Sequence, residues 1–144
     1  MVQVNPYLIF NGNCEEAFLF YQSVFGGEFP YMGKFKDMPT DDNCPPVSED
    51  EANRIMHVSL PIGNTVLMGS DSTTQSGDAI IGTNFSVSIN TDSREEADRI
   101  FNGLSAGGKA FMPMSSTFWG AYFGMFTDKF GINWMVNFDE NPQP

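Results

Sequence analysis

Few side chains in this sequence are equipped for chemistry. Its one histidine, His57, stands in the segment IMHVSLP. Strand alternation there puts Ile55, His57 and Ser59 on one face and Met56, Val58 and Leu60 on the other. An imidazole in that position can line a polar binding surface or serve as a hydrogen-bonded structural group. A role as general base would need a partner carboxylate, which the neighbouring sequence does not supply. Two carboxylate pairs, Glu15–Glu16 and Glu95–Glu96, follow a short polar residue as Asn13-x-x-Glu16 and Ser93-x-x-Glu96. That spacing is a helix capping box, so these acids already have a structural task. Aromatic chemistry is concentrated in STFWGAYFGMFTDKFGINWMVNF, Ser116 to Phe138, which holds both tryptophans. Trp119 and Tyr122 there suit either a ligand-contacting wall or a packed core, and their spacing allows both. Trp134, Phe126 and Phe138 read as core. Gly120 and Gly124 flank a bulky strand, a pattern that marks a bulge or a close approach of another element. Methionine is abundant, with nine in the chain, and its adaptable thioether fills core gaps or lines apolar surfaces.

The elements that must carry these residues repeat. LIFNGNCEEAFLFYQSVFGGEF (Leu8 to Phe29) and SINTDSREEADRIFNGLSAGGKAF (Ser88 to Phe111) lie 80 residues apart and match in residue type. Asn13 corresponds to Ser93, Glu16 to Glu96, Ala17 to Ala97, Tyr21 to Phe101 and Val24 to Leu104. Apolar residues at helical spacing follow each cap: Ala17, Phe20, Tyr21 and Val24, then Ala97, Ile100, Phe101 and Leu104. Gly26–Gly27 and Ala106–Gly107–Gly108 supply the helix ends. Strand-like runs surround each helix: PYLIF before the first, and EFPYMGKF, RIMHVSLPI and TVLMGS after it. TNFSVSI precedes the second, with KAFMPM, GAYFGMF and NWMVNF behind. The pattern predicts an α+β chain of two βαβββ modules, the first over about residues 1–72 and the second over about 83–140. The halves differ by an acidic, proline-bearing insertion, Asp37 to Asn53, read as a surface loop.

Composition limits the partners. The chain of 144 residues is 41% hydrophobic, enough for one ordinary domain or two small halves sharing a core. Its net charge is −11 with only seven Lys and Arg, which argues against nucleic acid and an anionic membrane surface. No run approaches the roughly 18 apolar residues of a membrane span. MVQVNPYLIF lacks a secretory signal's basic, apolar and small-residue regions, so a cytoplasmic location is expected. Cys14 and Cys44 have no metal-type spacing and are expected to be free thiols.

NPYLIFNGNCEEAFLFYQSVFGGEF, IMHVSLPIGNTVLMGSD and FWGAYFGMFTDKFGINWMVNF together resemble the PhnB-like branch of the vicinal-oxygen-chelate superfamily, which includes glyoxalase I, bleomycin-resistance proteins and extradiol dioxygenases. The resemblance covers most of the chain. It implies two modules whose curved mixed sheets enclose a cleft, usually in a homodimer, with Trp119 as a wall of that cleft. Relatives often carry a demethylubiquinone methyltransferase label, yet this chain has no glycine-rich nucleotide loop to support that activity.

Metal-using members of the superfamily draw His and Glu ligands from the first and last strands of each module. The matching stretches here are NPYL, TVLM, NFSV and INWM, with no His, Asp, Glu or Cys among them. Asn5, Asn84 and Asn133 offer only neutral amide oxygens, so no metal and no cofactor is expected. Met68 occupies a strand that holds ligands in the metal-binding relatives. Where many relatives carry an arginine or another charged group after the FWG segment, this chain has Tyr122. The resulting expectation is a homodimer binding a small apolar or aromatic molecule through His57, Met68, Trp119 and Tyr122. The alternative is a lyase, isomerase or transferase with a relocated or intersubunit site, using His57 with Tyr122 or Asp71.

Overall fold

A computed structural model of the protein describes residues 2–38 and 48–140. By its internal contacts the chain divides into two compact units, Met1–Ile80 and Ile81–Pro144. In the first unit, β1 (Tyr7–Phe10), α1 (Cys14–Phe25), β2 (Tyr31–Lys34), β3 (Ile55–Ile62) and β4 (Thr65–Asp71) follow in order. The second contains β5 (Val87–Asn90), α2 (Arg94–Ser105), β6 (Lys109–Ser116), β7 (Ala121–Thr127) and β8 (Asn133–Asp139). The 80-residue repeat holds at element level: Tyr7 maps to Val87, Cys14 to Arg94 and Phe25 to Ser105.

Each unit forms its own four-stranded sheet, in the orders β1-β4-β3-β2 and β5-β8-β7-β6. Both are mixed, because the β1–β4 and β5–β8 pairs are parallel and the remaining pairs antiparallel. The α+β reading and the βαβββ order therefore hold. The expectation of curved sheets around a cleft does not. These are two separate open sheets, each with two end strands, β1 and β2 or β5 and β6. Four strands are too few to close, since strand tilt and stagger reach a filled barrel only near eight.

One face of each sheet is covered by its helix. Cys14, Ala17, Phe18, Tyr21 and Val24 of α1 are buried together with Leu8, Phe10, Val58, Leu60 and Leu67 of the strands. Phe18, not the expected Phe20, takes the central place. A side chain at Gly69 would strike the Phe18 ring at 2.6 Å and the Leu8 carbonyl at 2.9 Å, so the bare backbone of β4 is what admits that ring. In the second unit the Phe101 ring of α2 lies 2.8 Å from where a Gly124 side chain would begin. This is the close approach that a glycine in a bulky strand predicted. The β3–β4 hairpin turns through Gly63 at φ +58°, and Ile62 pairs with Thr65 around it.

The two caps are built differently. Ser93 accepts the Glu96 amide at 3.1 Å, as the capping box requires. Asn13 makes no side-chain cap hydrogen bond. The start of α1 is instead satisfied from 57 residues away, by Asp71 at the end of β4. Its Oδ1 accepts the amides of Gly12 (2.9 Å) and Cys14 (3.0 Å), and its Oδ2 accepts that of Ile55 (2.8 Å). Asp71 is 4% exposed, and both its oxygens are engaged by backbone amides. This removes it from the acid–base role considered above. Cys14 is a free, buried thiol. Burial first, then the Asp71 and Glu15 charges, push it far above the ordinary thiol range. Cys44 and the central part of the Asp37–Asn53 insertion lie outside the described residues. The described flanks form two short 3₁₀ turns, Phe35–Asp37 and Glu49–Glu51.

Asp71→Ala would strand three amide donors, and removing an ionised acceptor costs roughly 1–3 kcal/mol for each group left unpaired. A loss of about 3 kcal/mol or more is expected in urea unfolding, with Asp71→Asn less affected. An unchanged midpoint would show that the carboxylate does not hold these amides.

Candidate functional site

The face of the first sheet opposite α1 is defined by register. Tyr31 pairs with Ser59, Ser59 with Met68, and Met68 with Tyr7. One row therefore crosses all four strands with these side chains on the same side. Gly33 pairs with His57 in the next row. His57 and Ser59 share this face as expected, but Ile55 does not. A register shift between Gly33 and Lys34 opposes Lys34 to Ile55, and this irregularity sends Ile55 into the core at 1% exposure.

Three rings tile this face. The Tyr7 and His57 centroids lie 5.7 Å apart, inclined by 30°, and the Tyr31 and His57 centroids 5.9 Å apart, inclined by 39°. Tyr7 belongs to β1, and β4 separates it from β3; its phenol spans β4 to reach His57, with Oη 3.2 Å from Nδ1. On the other flank the Tyr31 ring lies over Gly33, where a side chain would meet Cζ at 2.8 Å. Glycine opposite His57 is thus what lets the tyrosine lie down beside the imidazole. Tyr7 and Tyr31 remain 44% and 47% exposed. His57 and Met68 are brought to the same face. Tyr7 and Tyr31, absent from the sequence-derived site, complete it. Their signal was an aromatic at the strand position out of phase with the core residues Leu8 and Phe10, and one two residues before a glycine.

In the second unit the two expected residues part company. Trp119 sits in the turn between β6 and β7, 60% exposed. It touches Phe118 (centroids 4.9 Å) and Phe123 (6.4 Å). Phe123 alternates with the buried Gly124 and faces away from α2. Trp119 is therefore not a core residue. Tyr122, one position from Phe123, faces α2. Its hydroxyl donates to Asp98 at 2.6 Å, and the Arg94 guanidinium lies 4.0 Å above its ring. Arg94 also donates to the Ser116 hydroxyl (3.3 Å) and lies 3.7 Å from Glu140, which in turn accepts from Ser116 at 3.0 Å. Ser116 pairs with Tyr122 across the strands that flank the Trp119 turn. Tyr122 thus fastens the base of that turn to the helix and presents no surface beside Trp119. Trp134 and Phe126 are core, each at 1% exposure. The Trp134 indole donates to Asp128 at 2.8 Å.

The metal-ligand positions of the resemblance hold amides with other partners. Asn5 accepts the Val66 amide (3.1 Å), and Asn133 accepts the Thr127 hydroxyl (2.7 Å) while donating to the Gly82 and Phe85 carbonyls. Among the described residues no group of three or more His, Cys, Asp or Glu side chains is placed to hold a metal ion. No helix among them is long and apolar enough to cross a membrane.

Comparison with known proteins accords with this architecture. The model of the family described as 3-demethylubiquinone-9 3-methyltransferase matches residues 2–137. The protein YjdN of Escherichia coli strain K12 is 35% identical over 139 residues, covering 93% of each chain. Protein PA1353 from Pseudomonas aeruginosa is 43% identical, with a TM-score of 0.85 over 96% of this chain and 98% of its own. A putative 3-demethylubiquinone-9 3-methyltransferase, the PhnB protein from Bacillus cereus, shares the fold at 24% identity and a TM-score of 0.72, covering 95% and 99%. The chain belongs to this family, and its fold is also that of a glyoxalase/bleomycin resistance protein/dioxygenase family enzyme from Burkholderia phytofirmans PsJN, at 16% identity and a TM-score of 0.60 over 94% of this chain and 99% of that one.

Trp119→Ala is expected to shift unfolding by no more than about 0.5 kcal/mol, as for other surface positions. Trp134→Ala should cost about 3–5 kcal/mol. A large loss at Trp119 would return it to the core. The Tyr122 phenol is held above its ordinary value near 10, first by its hydrogen bond to Asp98, then by desolvation and the Asp98 charge. A raised native value adds stability that is complete below pH 10 and lost as pH rises through the native ionisation. Absorbance titration of Tyr122→Phe should therefore lack one tyrosine step that the wild type shows above the ordinary phenol range.

Proposed function

We propose that this protein binds a small apolar or aromatic molecule without a metal ion, on the open face of its first unit. The observation that carries the reading is the row of half-exposed rings. The Tyr7 and Tyr31 rings lie 5.7 Å and 5.9 Å from the His57 imidazole on its two sides, with Tyr7 hydrogen-bonded to it and Met68 on the same face. Aromatic rings offer large contact area at little conformational cost. Met68 adds a polarisable side chain that adapts to ligand shape. Trp119 and Phe123 give the second unit an aromatic surface of its own, which serves the same kind of contact. Tyr122 supports it from behind and is not a contact residue in this reading.

Two features favour binding over acid–base turnover. His57 is partnered by a phenol and not by a carboxylate. Asp71, the acid once available to it, is consumed by three amides. The amide oxygens of Asn5 and Asn133 likewise do structural work, and neutral amides without carboxylates are a poor donor set for a divalent cation. We further propose a homodimer, in keeping with the exposed apolar residues Phe111 and Met112 on the end strand β6.

Native mass spectrometry of untagged, gently purified protein tests these statements together. A dimer free of metal, with or without an organic adduct, is the expected spectrum. One metal ion per chain with a measurable turnover would overturn the binding reading, and a monomer would overturn the dimer.

A further inference from the structure

We infer that His57 presents its Nε2–H as a hydrogen-bond donor on the open face, selecting planar aromatic ligands that carry an acceptor oxygen. This rests on the binding reading above and narrows its ligand class. A neutral imidazole has one donor and one acceptor nitrogen, and the partner of one decides the role of the other. Here the partner of Nδ1 is the Tyr7 hydroxyl. That hydroxyl proton has no other acceptor among the described residues, so the arrangement that uses it has Tyr7 donating to Nδ1. The imidazole proton then resides on Nε2. Among the described residues Nε2 has no protein partner, and His57 is neither buried nor covered by α1.

The setting of this donor defines what it can hold. Tyr7 is fixed by its bond across β4, and Tyr31 lies flat over Gly33. The donor therefore emerges between two rings inclined by 30° and 39° to its own plane. A flat ring system can rest against these rings while a carbonyl or phenolic oxygen at its edge meets the N–H. A purely apolar ligand gains the ring contacts and leaves the donor to water. An aliphatic polar ligand gains the hydrogen bond and forgoes the aromatic contact.

Because the chain holds a single histidine, long-range proton–nitrogen correlation spectra report His57 alone. In ligand-free protein, at a pH where the imidazole is neutral, the pattern of the Nε2–H form is expected, and Tyr7→Phe should increase the share of the other tautomer. A dominant Nδ1–H form in the wild type would overturn the inference. Coumarin and naphthalene then serve as matched bicyclic probes, one with a carbonyl acceptor and one without. One neutral hydrogen bond predicts about threefold to tenfold tighter binding of coumarin. In His57→Phe the ratio should fall to about one. His57→Gln, which keeps an N–H donor, should restore part of it, with circular dichroism showing both variants folded. Equal binding of the two probes by the wild type would overturn the donor inference and leave the binding reading standing. Failure of both to bind at millimolar concentration would overturn the binding reading itself, and the inference with it.

Discussion

The buried carboxylate of Asp71 is the constraint on which the first unit depends. It closes β4, receives the amides that open α1, and takes the first amide of β3. These are three contacts between segments distant in sequence, made by one residue whose ionised oxygens are inaccessible to water. An uncompensated buried carboxylate would be costly, and here its compensation is the backbone itself. The position of β3, and therefore of His57, follows from this knot. So does the orientation of α1, which sends Phe18 onto Gly69 and leaves the opposite face of the sheet uncovered. Asp128 plays a comparable part in the second unit. It accepts the amides of Phe130 and Ile132 and the indole of Trp134, and so shapes the turn from β7 into β8.

The open face is a consequence of having one helix per four-stranded sheet. A single helix covers one side, and side chains of opposite parity are left on the other. In this protein those side chains are specifically arranged. In the first unit a tyrosine crosses a neighbouring strand to a histidine, and a glycine makes room for a second tyrosine beside it. In the second unit the corresponding connection between the second and third strands is the short turn that displays Phe118 and Trp119. Arg94, Tyr122, Ser116 and Glu140 hold that turn from the helix side. Its ion pair is solvent-exposed and contributes little by itself. The short Tyr122–Asp98 bond and the stacked guanidinium supply the geometry.

Membership in the family says what scaffold this is, and the side chains say how the scaffold is used. The strand positions that hold metal ligands in other members carry amides or apolar residues here, and two of those amides are committed to their own backbone or side-chain partners. The glyoxalase type of chemistry, in which a divalent ion polarises a bound oxygen, has no donor set to stand on in these positions.

Much of the architecture was legible in the sequence because it is set by local pattern. The 80-residue repeat, the two helices, the eight strands and the burial of Trp134 and Phe126 follow from periodicity and turn residues that act over a few positions. The Ser93 cap could be read for the same reason, as could the close approach at Gly124. Other features needed the folded chain. Asn13 has the right spacing for a cap yet makes no side-chain cap hydrogen bond, and tertiary structure instead brings Asp71 to the neighbouring amides of Gly12 and Cys14. Ile55 left the face of His57 because a register shift, invisible to simple alternation, reversed its direction. Trp119 and Tyr122 are three residues apart, one in a turn and one in a strand, and only the strand register reveals that they serve opposite faces. Tyr7 and Tyr31 joined the site for the same reason. A ring's neighbours across a sheet depend on which strands pair and in what register, and that is decided by contacts between distant segments. Sequence alone thus determined the elements, whereas tertiary pairing decided which side chains meet, because that choice belongs to the sheet and not to any one strand.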